Sequence, residues 1–112
     1  MPFEWLTTPE RTAYQRTSTF AEAISVINAL QAETNLIHRE QLLLTREGRD
    51  VPILVLANPP ISSPEQARAS GKPVIYIQGN IHGGEVEGKE ASLILMRDML
   101  FGDKQHLLEN QI

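Results

Sequence analysis

The pattern of apolar and polar positions divides the chain into ordered stretches separated by one long polar segment. From Thr19, "TFAEAISVINALQAETN" sets Phe20, Ala23, Ile24, Ile27 and Leu30 at the i, i+3, i+4, i+7 spacing of an amphipathic helix. Thr19 with Glu22 three residues later predicts a capping box, and Asn35 offers a stop. Two apolar runs follow, Gln41–Thr45 and Val51–Ala57, on either side of "REGRD". Gly48 supplies the positive φ that a short hairpin needs. Pro52 has no N–H to give, which suits an edge position. "NPPISSPEQARASGKP" is rich in Pro, Ser and Gly and reads as an exposed loop. "VIYIQ", Val74–Gln78, is a short apolar run that predicts a strand buried on both faces. From Val86 to Phe101 the pattern is helical, with "ASLILMRDML" apolar nearly all round and Gly102 as a stop.

This order predicts an α/β fold: a mixed β-sheet flanked by helices, incomplete, with an N-terminal helix, a β-hairpin, a central strand and a buried helix. Such sheets bind ligands beyond the carboxyl ends of their strands. The stretch "GNIHGGEVEGKE", Gly79–Glu90, begins at that point.

Composition narrows the classes. A chain of 112 residues with 41% apolar content makes one domain or part of a larger one. The net charge of −4, the absence of a basic stripe and only six aromatic residues exclude a nucleic-acid partner. No apolar run approaches the roughly 18 residues needed to span a bilayer, so no membrane span is expected. "MPFEWLTTPERTAY" lacks a charged n-region followed by an apolar h-region, and no signal peptide is expected. With no cysteine there is neither a disulfide framework nor a thiolate metal site. None of this assigns a compartment.

His82 and Glu85 are the candidate chemistry. An imidazole and a carboxylate three residues apart converge on one metal ion when the backbone between them turns, and Gly83 and Gly84 permit a turn. One His and one carboxylate, joined by a second His, form a catalytic zinc set with an open position for water. The competing structural account is a glycine turn after a strand, with Glu85, Glu87 and Glu90 complementing the dipole of the following helix. The spacing differs from HExxH, in which both histidines lie on one helix. His106 follows Glu85 by 21 residues. At about 1.5 Å per residue a mostly helical path puts it some 30 Å away, against the ligation distance of about 2 Å. His38 reads as a surface residue at the start of the hairpin. Arg46 and Arg49 read as solvated, and Trp5 and Tyr14 as anchors of the N-terminal segment. The serines cluster in a loop and lack a nucleophile-elbow motif.

The stretch "GNIHGGEVEGKEASLILMRDML", preceded by "PVIYIQ", resembles the zinc metallocarboxypeptidase family, in which a Gly-Asn-x-His-Gly-x-Glu segment ends a central strand and opens a long helix. "YQRTSTFAEAISVINAL" is similar to that family's first helix and "REGRDVPILVLAN" to its first hairpin. The resemblance runs from about Tyr14 to Leu100 and implies that His82 and Glu85 are metal ligands for zinc. Asn80, Gly83 and Gly84 match scaffold positions around them; Glu87 and Glu90 match no function and read as solvated. It further implies that a third ligand, a histidine, together with a catalytic glutamate and substrate-binding arginines, lies beyond Ile112. Residues 1–112 would then be the N-terminal part of a single catalytic domain, inactive alone, and the whole would remove C-terminal residues from peptides.

Two other readings stand beside it. An aspartoacylase-like deacylase would take a small acyl-amino-acid substrate and shares an HGxE segment, although the upstream helix and hairpin fit the peptidases better. A truncated, non-enzymatic interaction module would also lack the third ligand and base. The fragment by itself would expose unpaired sheet edges and part of an apolar helix, which predicts self-association.

Overall fold

The first two α-helices begin at capping boxes, of which the second is legible in the sequence. In the computed structural model, which describes residues 1–112, helix α1 (Thr8–Arg11) and helix α2 (Phe20–Gln31) each open on a complete box. The Thr7 hydroxyl accepts from the Glu10 N–H while Glu10 reaches back to Thr7, and Thr19 and Glu22 repeat the arrangement. Helix α2 stops at Gln31, short of Asn35, with Ala32 as its cap. Its buried stripe is Ala23, Val26, Ile27 and Leu30, while Phe20 is exposed. The inward face is thus turned toward Val26.

The hairpin pairs β1 (Ile37–Leu44) antiparallel with β2 (Asp50–Leu56). Gly48 turns it at φ +82°. A register shift between Gln41 and Leu43 sits opposite Pro52. Proline cannot donate to the ladder, so a bulge falls where regular pairing has least to lose.

Three expectations are corrected. The Pro- and Ser-rich segment contains a short helix, α3 (Pro64–Ala69), because Ser63 caps the Gln66 N–H and Pro64 is pre-set for a first helical position. Val74–Gln78 does not form a strand of the sheet, which holds β1 and β2 alone. Val74, Ile75, Tyr76 and Ile77 are 54–63% exposed instead of buried. A strand is stabilised by neighbours, and this segment has one short pairing: the Ile75 N–H donates to Ile112 O at 2.8 Å, and the Ile112 N–H to Pro73 O at 3.0 Å. Third, Tyr14 is 77% exposed and does not anchor the N-terminus.

Helix α4 (Glu87–Phe101) carries the second apolar face. Leu93, Met96 and Leu100 are buried; Ile94, Leu95 and Met99 are half-buried. An added Cβ on Gly102 would lie 2.9 Å from Asp98 Cα, so the helix ends where the chain folds back against its own last turn. A last short helix, α5, spans Leu107–Asn110.

The chain separates into two compact units. The first comprises Met1–Thr34 and Tyr76–His106. Here α2 packs against α4, and Trp5 stacks on Phe101 with ring centroids 4.3 Å apart. Arg11 lies over the Phe3 ring at 4.5 Å. The second, Asn35–Ile75 with Leu107–Ile112, holds the hairpin and α3. Lys72 Nζ donates there to the carbonyls of Asn58 and Leu108. No helix is long and apolar enough to cross a membrane.

Candidate functional site

The loop from Asn80 to Val86 joins the apolar Val74–Gln78 segment to α4. Its two ends meet: an added Cβ on Gly79 would lie 2.9 Å from the carbonyl carbon of Gly88 and 3.1 Å from Lys89 N. Only glycine allows that approach. Asn80 takes the left-handed conformation, φ +58°, which asparagine tolerates better than most residues. Gly83 and Gly84, expected to make the turn, neither adopt a positive φ nor meet a neighbour. The conformational demand falls instead at Gly79 and Asn80, ahead of His82.

Within this loop the Glu85 N–H donates to His82 O at 3.0 Å, closing a tight turn. The turn brings the side chains together, with His82 Nδ1 3.0 Å from Glu85 Oε2. Both are open to solvent, the imidazole side chain 78% and the carboxylate 65% exposed. An imidazole nitrogen and a carboxylate oxygen at that separation are a nitrogen and an oxygen donor of the kind zinc accepts. No group of three His, Cys, Asp or Glu residues able to hold a metal ion is formed. His38 pairs with Glu40 in the hairpin at 3.0 Å, and His106 is exposed after α4. Glu87 is exposed in the first turn of α4.

The pair lines no part of one cavity in its unit. That cavity, of about 260 Å³, is lined by Met1, Trp5, Arg97, Asp98, Phe101 and Gly102. It is the groove beside the Trp5–Phe101 stack and contains neither His82 nor Glu85.

Two polar residues of α4 are buried, the first against expectation. Glu90, expected to be solvated, is buried, and its Oε1 accepts from the Thr17 hydroxyl and the Ser18 N–H, each at 2.8 Å, and from the Ser18 hydroxyl. Burial alone would raise its pKa, but these donors and Lys89 outweigh it and hold the carboxyl below its usual range. Arg97 is buried too and forks onto Glu10 with two contacts of 2.8 Å, donating also to Trp5 O at 3.0 Å. That hydrogen bonding raises the Arg97 pKa, and it holds Glu10 at about 2 against the pull of burial. Periodicity carried the signal: Glu90, Leu93, Arg97 and Leu100 follow one helical stripe.

The sequence model of the zinc carboxypeptidase family matches residues 23–110, a span that takes in most of α2, the hairpin, the His82–Glu85 loop and α4. The chain belongs to the zinc carboxypeptidase family. No curated protein and no solved structure matches it. Membership makes this a carboxypeptidase-like hydrolase at the level of the family, whose complete domain works with zinc and whose substrates are peptides.

Proposed function

We propose that residues 1–112 are the N-terminal part of a single zinc carboxypeptidase-like catalytic domain, in which His82 and Glu85 are two of the zinc ligands. The complete domain removes C-terminal residues from peptides. The observation that carries this reading is the 3.0 Å approach of His82 Nδ1 to Glu85 Oε2 on a loop inside the matched span. Zinc, when bound, polarises a carbonyl and lowers the pKa of its water toward about 7.

The chain's own contribution is positional. The Gly79–Gly88 contact roots the loop, and the Glu85 N–H to His82 carbonyl bond sets the side chains on one side of it. Without an ion the same contact is a surface hydrogen bond contributing little to stability. A catalytic zinc takes three protein ligands and needs a base and groups that orient the substrate. Two donors and no assigned base are present within residues 1–112.

The test is hydrolysis of a blocked dipeptide by residues 1–112, by the chain extended through the rest of the domain, and by the extended Glu85→Ala variant. Turnover is expected from the extended chain alone. General base catalysis alone is worth about 10²–10⁴-fold, so the short chain should show no measurable rate. Zinc-dependent turnover by residues 1–112 that disappears in Glu87→Gln would overturn the assignment.

A further inference from the structure

Glu90 holds a position that the zinc ligands do not explain. It lies five residues beyond Glu85, in the first turn of α4, and only 8% of it is exposed. Its Oε1 gathers the Ser18 N–H, the Ser18 hydroxyl and the Thr17 hydroxyl, while Oε2 is buried without a partner. Lys89 Nζ donates to the Ser18 carbonyl and lies 3.4 Å from Glu90 Oε1. A leucine there would extend the apolar stripe of Leu93 and Leu100 at no desolvation cost. The carboxylate instead makes directional, charge-assisted bonds to a segment more than seventy residues earlier in the chain.

Those bonds reach the candidate ligands in two short steps. The Glu90 N–H donates to the Val86 carbonyl at 3.3 Å, and Val86 directly follows Glu85. Gly88, in the same turn, is the residue that Gly79 touches where the loop begins. Anything that lets this turn rotate moves both ends of the loop bearing His82 and Glu85. Apolar packing tolerates such rotation, whereas ligand geometry must hold to within about 0.5 Å.

We propose that Glu90 is a positioning residue for the His82–Glu85 pair, fixing the first turn of α4 to Thr17 and Ser18 so that the loop presents both donors to one ion. The inference rests on the zinc reading above and adds a residue that does not touch the metal.

The test titrates zinc into residues 1–112 and follows the His82 ring resonances, with hydrogen exchange at the Glu85 amide as a readout that needs no metal. All comparisons are made where circular dichroism shows each variant folded. Glu90→Ala should weaken zinc binding about tenfold, the lower end of what poorly oriented ligands cost, and should speed exchange at Glu85. Glu90→Gln keeps an acceptor oxygen and should restore most of both. Ser18→Ala removes one donor from the opposite side, and should shift both readouts in the same direction if Glu90→Ala fails to fold. Leu93→Ala, which thins the packing of the same helix, should lower stability and leave both unchanged. Equal zinc affinity and equal Glu85 exchange in wild type and Glu90→Ala would overturn the proposal. So would Leu93→Ala matching Glu90→Ala in both. Zinc binding that ignores His82→Ala would remove the ligand assignment itself, and this inference with it.

Discussion

Two acid–base pairs border α4, one against its middle and one just before its start. Arg97 meets Glu10 at 2.8 Å with its side chain 7% exposed and its partner's 18%. His82 meets Glu85 at 3.0 Å with side chains 78% and 65% exposed. The contact lengths are alike; the surroundings are not. Arg97 also donates to Trp5 O, and Glu10 is also held by Thr7, so the buried pair ties the N-terminal segment to the helix. His82 and Glu85 hydrogen-bond to each other and across their own turn. Removing one partner of a buried pair strands a charge, whereas an exposed pair is close to neutral for stability. The exposed pair therefore contributes little to holding the fold together.

The largest effect expected from this contrast is that of Arg97→Ala, which should cost about 3–5 kcal/mol of stability because Glu10 remains behind without its partner. Urea unfolding measures it, and a loss as small as that at His82 would erase the distinction. Acid sharpens it next. Glu10 is held at about 2, against an ordinary 4.5, by the Arg97 hydrogen bond, with burial opposing. Its contribution is full above the ordinary value and is lost as the carboxylate protonates on the way down to about 2. Glu22, held at about 2 chiefly by Arg16, titrates in the same window. Stability should fall across this range, and Glu10→Gln should remove part of the slope and leave the part due to Glu22. A slope unchanged in Glu10→Gln would mean that Glu10 is not tied to Arg97 in solution. The smallest effect belongs to the exposed pair: His82→Ala should shift stability by no more than about 0.5 kcal/mol.

Local chemistry was what the sequence made legible. Thr19 with Glu22 and Gly48 in its hairpin act within a few residues, and each does in the fold what its neighbours dictate. The convergence of His82 and Glu85 was legible for the same reason, although Gly79 and Asn80, not the two glycines between them, carry the demanding backbone. What failed depended on distant partners. Glu90 looks solvated, and Arg97 a mere break in an apolar run, until Ser18 and Glu10 are brought against them. The run Val74–Gln78 has the composition of an interior strand, but burial is conferred by neighbouring strands, and here it stays exposed. Such a segment should drive association of the isolated chain. Light scattering should show oligomers that revert to monomer in an Ile75→Lys, Ile77→Lys variant; a wild type monomeric at every concentration would show that the segment is tolerated in water.

The proposed ligand role of His82 and Glu85 is tested most directly by titrating zinc into residues 1–112 and into its His82→Ala, Glu85→Gln and His106→Ala variants by calorimetry. Two protein donors leave an ion largely hydrated, so wild-type binding should be weak. It should vanish in His82→Ala and Glu85→Gln and persist unchanged in His106→Ala. Binding that survives His82→Ala and is lost in His106→Ala would contradict the account.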